Sequence, residues 1–130
     1  IYDTGSGMQF STANALAVAD LIVAVTKLDE FDVEGTKEMM RGVYEVLGKR
    51  IGIIVNRVVG KEAYDPDLAQ RLERELGGHV LGVVPCYCDV QLTGGVAIYA
   101  LTQPGHTFPK TLKEISTRII QECRESAVAK

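Results

Sequence analysis

Leu21-Ile22-Val23-Ala24-Val25 is a continuous apolar run that is rich in β-branched residues. Such a run is typical of a strand buried on both faces of a sheet. Two further runs of this kind follow, Ile51-Gly52-Ile53-Ile54-Val55 and Val80-Leu81-Gly82-Val83-Val84. Because segments with helical patterns separate the three runs, the sequence predicts an α/β fold in which helices cover a parallel sheet.

The spacing of apolar residues predicts four helices, at 13–19, 33–47, 66–77 and 109–126. The expected buried face of the second helix consists of Met39, Met40, Val43, Val46 and Leu47. Gly48 is expected to end that helix in a left-handed conformation. The third helix carries the stripe Leu68, Leu72 and Leu76. The last carries Leu112, Ile115, Ile119 and Cys123, so Cys123 is expected in the core. Residues 27–32 and 86–109 are expected to be irregular.

Composition limits the class of protein. The chain has 130 residues, of which 46% are apolar, which suits a single domain with one modest core. A net charge of −3 argues against nucleic-acid binding through bulk positive charge. No apolar run reaches the length of a membrane span. Three cysteines, an odd number, favour a reducing cytoplasm over a disulfide framework. Ile1 lies only two residues before Asp3, so we expect a piece of a longer protein.

Polar or special residues follow each predicted strand and the apolar start of the chain. They are Asp3 to Gly7, Thr26 to Asp29, Asn56-Arg57 and Pro85 to Asp89. In open parallel sheets, ligands bind beyond the carboxyl ends of the strands. An aspartate at such a tip can hold Mg²⁺ through water, and a nearby glycine lets a backbone N–H approach a phosphate.

These segments together resemble the second half of a MinD/ParA-type ATPase, a P-loop protein with a deviant Walker motif. The resemblance covers essentially all 130 residues. Its segments are Asp3-Thr4-Gly5-Ser6-Gly7, Ala15-Leu16, Ala19-Asp20 with the first apolar run, Asn56-Arg57, and Gly82-Val83-Val84-Pro85, in the family's order. The Pro85-Cys86-Tyr87-Cys88-Asp89 segment is similar to archaeal MinD-like proteins.

The resemblance implies a three-layer α/β/α parallel sheet that binds ATP or ADP with Mg²⁺. Asp3 would be the Walker B aspartate, which holds Mg²⁺ through water. Gly7 would be the switch glycine, whose N–H senses the γ-phosphate. Asn56 would hydrogen-bond the adenine edge, since its side-chain amide offers a donor and an acceptor. The residues expected to flank the base are Arg57, Pro85, Cys86 and Val90.

The sequence also departs from the family. It contains no G-K-G-G-x-G-K-[ST] loop and no switch aspartate. Without the loop's amides and lysines, phosphoryl transfer lacks most of its electrostatic stabilisation, so we expect no useful hydrolysis by this chain alone. In the family, the P-loop strand lies beside the strand that matches Leu21 to Val25. Its absence predicts a three-stranded core with an exposed apolar edge, which would recruit the missing half or form a homodimer.

Three other interpretations are considered. Thr26-Lys27-Leu28-Asp29 matches the [NT]-K-x-D element for guanine, but it follows the strand before the one expected. Cys86 and Cys88 could bind a soft metal in a metal-centre accessory protein, although two thiolates leave a tetrahedral site incomplete. A non-catalytic interaction module of the same fold is the third. The last helix mixes acidic and basic residues on its polar face, so no direct membrane binding is expected.

Overall fold

A computed structural model describes residues 1–5 and 7–128, with side chains up to residue 125. Its helices are α1 (Phe10–Val18), α2 (Glu30–Met39), α3 (Glu45–Leu47), α4 (Leu68–Leu76), α5 (Cys88–Leu92), α6 (Tyr99–Thr102) and α7 (Thr107–Val128). The strands β1 (Leu21–Thr26), β2 (Arg50–Val58) and β3 (His79–Pro85) form a parallel sheet in the order β1-β2-β3. The predicted α/β fold with a parallel sheet is confirmed. Ile1 to Gly5 form neither helix nor strand.

The main hydrophobic core lies between the sheet and the helices that follow β1 and β2. It contains Met40, Ile53, Val55, Val58, Leu68, Leu72, Leu76 and Val80. The predicted leucine stripe of α4 is therefore confirmed, because all three leucines are buried. Gly77 follows the stripe with φ of 73° and ends α4 in the left-handed conformation.

The long C-terminal helix α7 packs where β3 carries no side chain. A Cβ at Gly82 would lie 2.5 Å from Ile115 Cγ1, so only glycine lets the helix approach this closely. The register of β2 on β3 passes from Ile53↔Val80 to Ile54↔Gly82, which makes Leu81 an extra residue in β3. Polar contacts also hold α7: Arg118 Nη1 donates to the Leu81 carbonyl at 2.9 Å, and Arg50 pairs with Glu122.

The second helix differs from its prediction at its start and in its interior. It begins at Glu30 because the Asp29 carboxylate accepts a hydrogen bond from the Asp32 N–H at 3.0 Å and caps it. Met40–Tyr44 then form a π-helical turn before α3. The wider turn rotates the residues after it, so Val46 is 78% exposed and its predicted place on the buried face is wrong. Gly48 ends α3 with φ of 59°, as predicted.

Two predictions about the second half of the chain are corrected. Asn56 and Arg57 lie inside β2 rather than after it, because β2 widens into a bulge between Val55 and Val58 and then pairs again with β3. The stretch from Cys86 to Pro109 contains α5, α6 and the start of α7. Burial fades along the α7 stripe, from buried Ile115 to exposed Cys123, so the expectation of Cys123 in the core is wrong.

Within the described part of the chain, no helix is both long enough and apolar enough to cross a membrane.

Candidate functional site

A cleft of 660 Å³ runs along β1. Its volume lies within the range of small-molecule sites in proteins. Its walls come from the N-terminal segment, α1, β1, α2 and β2. The lining residues are Tyr2, Asp3, Thr4, Gly5, Gly7, Thr12, Leu16, Ile22 to Lys27, Phe31, Asp32, Gly35, Thr36, Met39, Tyr44 and Asn56.

Three residues predicted for ligand binding share this cleft. Asp3 and Gly7 reach it from the N-terminal segment, and Asn56 reaches it from the carboxyl half of β2. Gly7 has φ of 85°, a conformation that favours glycine, and a Cβ there would meet no atom within 4 Å. Neighbouring Val55 is in register with Thr26, the last residue of β1. The cleft therefore reaches the carboxyl end of the sheet, where ligands bind in folds of this class.

A buried hydroxyl network forms the polar wall at that end. Thr26 is 5% exposed, and its Oγ1 lies 3.0 Å from the Thr36 hydroxyl. Both hydroxyls are within hydrogen-bond distance of the Asp32 carbonyl, at 3.2 and 2.7 Å. The network fixes the first turns of α2 to the end of β1 and leaves the surface facing the cleft polar.

The charges of the cleft are partly paired with each other. Lys27 Nζ lies 3.0 Å from Asp32 Oδ2, and its hydrogen bond to that carboxylate lowers the pKa of Asp32. Lys27 also lies 3.9 Å from Asp29, which already caps α2. The residues of the guanine-like Thr26 to Asp29 element thus have structural contacts of their own. Burial raises the pKa of Tyr44, which lines the apolar side of the cleft.

The other predicted ligand residues do not line the cleft: Arg57 and Pro85 lie near the ends of β2 and β3, and Cys86 and Val90 follow β3. Arg57 has φ of 59°, which is uncommon for a residue with a side chain, and its guanidinium donates to Gln91 Oε1 at 3.3 Å. Gln91 Nε2 in turn lies 3.1 Å from Cys86 Sγ. The Cys86 N–H donates to the Val58 carbonyl at 2.8 Å, which continues the ladder past Pro85. The residues predicted to bind one ligand thus lie in two places, the cleft along β1 and the group around Arg57 and Cys86.

An aromatic cluster holds together the loops after β3. The sequence patterns do not indicate it. It consists of Tyr87, Tyr99, His106 and Phe108, whose rings meet edge to face with centroids 5.3 to 6.3 Å apart. Asp89 anchors the cluster, because its Oδ2 accepts from the Tyr99 hydroxyl at 2.7 Å and lies 3.1 Å from His106 Nε2. The Tyr99 hydrogen bond lowers the pKa of Asp89, and the same contact raises the pKa of Tyr99.

In the described part of the chain, the cysteines do not belong to a cluster of possible metal ligands. Cys86 is half-buried beside Gln91, and Cys88 is exposed at the start of α5. Residues 1–5 and 7–125 contain no group of three or more His, Cys, Asp or Glu side chains placed to hold a metal ion. Asp3 is the acidic residue that the N-terminal segment contributes to the cleft.

The sequence matches no protein-family model and no curated protein.

Proposed function

We propose that this chain is the nucleotide-binding C-terminal half of a MinD/ParA-type ATPase, and that its cleft receives ATP or ADP with Mg²⁺. The observation that supports this proposal is the meeting of Asp3, Gly7 and Asn56 in one cleft at the carboxyl end of a parallel sheet. Asn56 is distant in the sequence from Asp3 and Gly7, and each of the three has the chemistry required for a different part of a nucleotide.

The donor set suits the two ends of such a ligand. Asp3 offers a carboxylate, and Mg²⁺ prefers oxygen ligands and keeps several of its waters. Gly7 offers a backbone N–H without a neighbouring side chain, which suits a phosphate oxygen. Asn56 is half-buried and offers both a donor and an acceptor to the edge of a base. When bound, Mg²⁺ would neutralise phosphate charge, while these residues would orient the nucleotide.

Positive charge for the β- and γ-phosphates is the missing component. Lys27 lines the cleft, but its ammonium is paired with Asp32. We therefore propose that a glycine-rich, lysine-bearing segment completes the site, and that this chain does not hydrolyse ATP without it. The strand of that segment would fit along β1, where the cleft lies. The proposal also places the protein in the cytoplasm, where Cys86, Cys88 and Cys123 would remain thiols.

Competition binding tests the proposal. A fluorescent ATP analogue is titrated with the chain in the presence of Mg²⁺, and unlabelled ATP and GTP then compete for it. We expect weak binding in which ATP competes better than GTP. Asn56→Ala should weaken binding about tenfold, which is the effect of losing one or two hydrogen bonds. Asn14→Ala is the matched control, since Asn14 is an exposed residue of α1 outside the cleft.

A second pair of variants tests the proposed role of Asp3 in holding Mg²⁺. Asp3→Asn should reduce the Mg²⁺ dependence of binding, whereas Asp67→Asn, an exposed aspartate outside the cleft, should leave it unchanged. Equal competition by ATP and GTP, or equal effects of Asn56→Ala and Asn14→Ala, would contradict the proposal.

A second candidate function is a non-catalytic interaction module, and the unpaired edge of β1 favours it. In the described part of the chain, β1 pairs with β2 alone, and Val25 on that strand is 63% exposed. Edges of this kind pair with strands of other chains. Failure of nucleotide binding together with strong association would favour this function over the first.

A further inference from the structure

Among the described residues that line the cleft, Lys27 alone has a basic side chain, and an acidic side chain of the same cleft holds it. Lys27 Nζ lies 3.0 Å from Asp32 Oδ2 and 3.9 Å from Asp29 Oδ2. The side chains of Lys27 and Asp32 are 52% and 40% exposed, so water reaches both. Ion pairs that remain in contact with water contribute little to stability. The contact between Lys27 and Asp32 can therefore open at small cost.

The two partners of this ion pair differ in how firmly the backbone holds them. The Asp32 carbonyl lies within hydrogen-bond distance of the Thr26 and Thr36 hydroxyls, at 3.2 and 2.7 Å. The Asp32 N–H donates to the Asp29 carboxylate at 3.0 Å. Lys27, in contrast, carries its ammonium at the end of a flexible four-carbon chain. Opening of the pair would thus move the ammonium and leave the carboxylate in place.

We propose that Lys27 is a phosphate-binding residue of this cleft, and that Asp32 holds its ammonium until a ligand with several negative charges displaces the carboxylate. The inference rests on the proposed function, since the same cleft would receive the nucleotide. A polyphosphate presents several charged oxygens, and an ammonium has three donors for them. Lys27 would supply one positive charge, and the lysine-bearing segment would supply the others.

A second lysine shows the contrast with a pair that joins two helices. Lys37 Nζ lies 2.9 Å from Glu75 and 3.3 Å from Glu34, and its side chain is only 20% exposed. This contact joins α2 to α4, and Lys37 does not line the cleft. Lys27 has no comparable structural task, because the hydroxyl network already fixes α2 to the end of β1. Its ammonium can therefore change partners without separating these elements.

An NMR titration with inorganic triphosphate, without Mg²⁺, tests the inference in four chains: the wild type, Lys27→Met, Asp32→Asn and the double variant. Lys27→Met should weaken triphosphate binding about tenfold, and Asp32→Asn should strengthen it by about threefold to tenfold. The double variant should bind no more tightly than Lys27→Met. This cycle separates two effects of Asp32, because simple repulsion of phosphate by its carboxylate would persist when Lys27 is absent.

Two variants outside the cleft control for net charge. Lys61→Met and Asp67→Asn make the same changes of charge at exposed positions, and both should leave triphosphate binding unchanged. Circular dichroism of each variant checks its fold. Asp32→Asn should keep the fold, because the hydrogen bonds to Thr26 and Asp29 use the backbone of residue 32.

Several results would overturn the inference. They are equal effects of Lys27→Met and Lys61→Met, a gain from Asp32→Asn that persists in the Lys27→Met chain, and an absence of triphosphate binding by both the wild type and Asp32→Asn. The proposed function would survive these results if Asn56→Ala still weakened ATP binding. Conversely, triphosphate binding that depends on Lys27, together with ATP binding that is insensitive to Asn56→Ala, would contradict the nucleotide site and leave Lys27 as an anion-binding residue.

Discussion

The hydroxyl oxygens of Thr26 and Thr36 lie 3.0 Å apart and join the last residue of β1 to the second turn of α2. Both residues line the candidate cleft. A contact that stabilises the fold therefore also shapes the polar end of the site, and its removal is a test of both.

Thr26→Val replaces a buried hydroxyl by a methyl group of similar size. The Thr36 hydroxyl and the Asp32 carbonyl would each lose a partner, so we expect the free energy of unfolding to fall by about 1–2 kcal/mol. Urea denaturation gives the value. Thr117→Val is the control, because Thr117 is exposed on α7, and its change should stay within about 0.5 kcal/mol. Equal losses at the two positions would show that the network adds nothing.

Close packing of α7 on β3 makes Gly82 sensitive to a single methyl group. Gly82→Ala should lower the free energy of unfolding by about 1–3 kcal/mol, because the new Cβ would meet the side chain of Ile115. Ile115→Ala in the same chain should recover part of that loss, since it removes the atoms in contact. A thermal-unfolding double-mutant cycle measures the coupling. Additive effects of the two substitutions would contradict the packing described for Gly82.

The left-handed backbone of Arg57 predicts an unusual order of stabilities. Arg57→Gly should be more stable than Arg57→Ala by about 1 kcal/mol, because alanine keeps the strain at φ of 59° and glycine does not. The same two substitutions at Arg41, in the helical segment after α2, should give the opposite order. Chemical denaturation of the four variants is the measurement. The same order at both positions would mean that Arg57 is not strained.

The hydrogen bond from Tyr99 predicts a pH-dependent contribution of Asp89. Because the folded-state pKa of Asp89 is lowered, its contribution to stability is present above the unfolded pKa and is lost as the pH falls through the folded pKa. Tyr99→Phe should raise the pKa of Asp89 towards its ordinary value, as seen in an NMR titration of its carboxyl carbon. Tyr64→Phe, at an exposed tyrosine, should leave that pKa unchanged. An unaltered pKa in Tyr99→Phe would contradict the contact.

The strands and the leucine stripe are predictable because buried elements have apolar residues at a characteristic local spacing. Continuous apolar runs indicate all three strands, and spacing of four residues indicates the buried face of α4. The exposure of Val46 is not predictable in this way, since it depends on a π-helical turn that the local sequence does not indicate. Nor is the extension of β2 through Arg57, because a strand bulge is stabilised by pairing with β3 rather than by its own residues.

The site is predictable to a similar degree. Asp3, Gly7 and Asn56 line one cleft as expected, although Asp3 and Gly7 belong to a segment without a strand and Asn56 lies inside β2. Rules for the carboxyl ends of parallel strands do not separate Arg57 and Cys86 from that cleft, because their position depends on the bulge. The aromatic cluster around Asp89 is formed by loops that fold back on each other, and such contacts have no periodicity in the sequence.

An NMR titration of the isotope-labelled chain with ATP and Mg²⁺ tests the central claim most directly. Weak binding suffices for this measurement, so it does not require the lysine-bearing segment proposed to complete the site. We predict that the largest shifts occur at the Gly7 backbone amide and at the side-chain amide of Asn56, with little change at Gly105, which lies outside the cleft. An absence of shifts at saturating nucleotide, or shifts confined to residues outside the cleft, would contradict the assignment of this cleft as a nucleotide site.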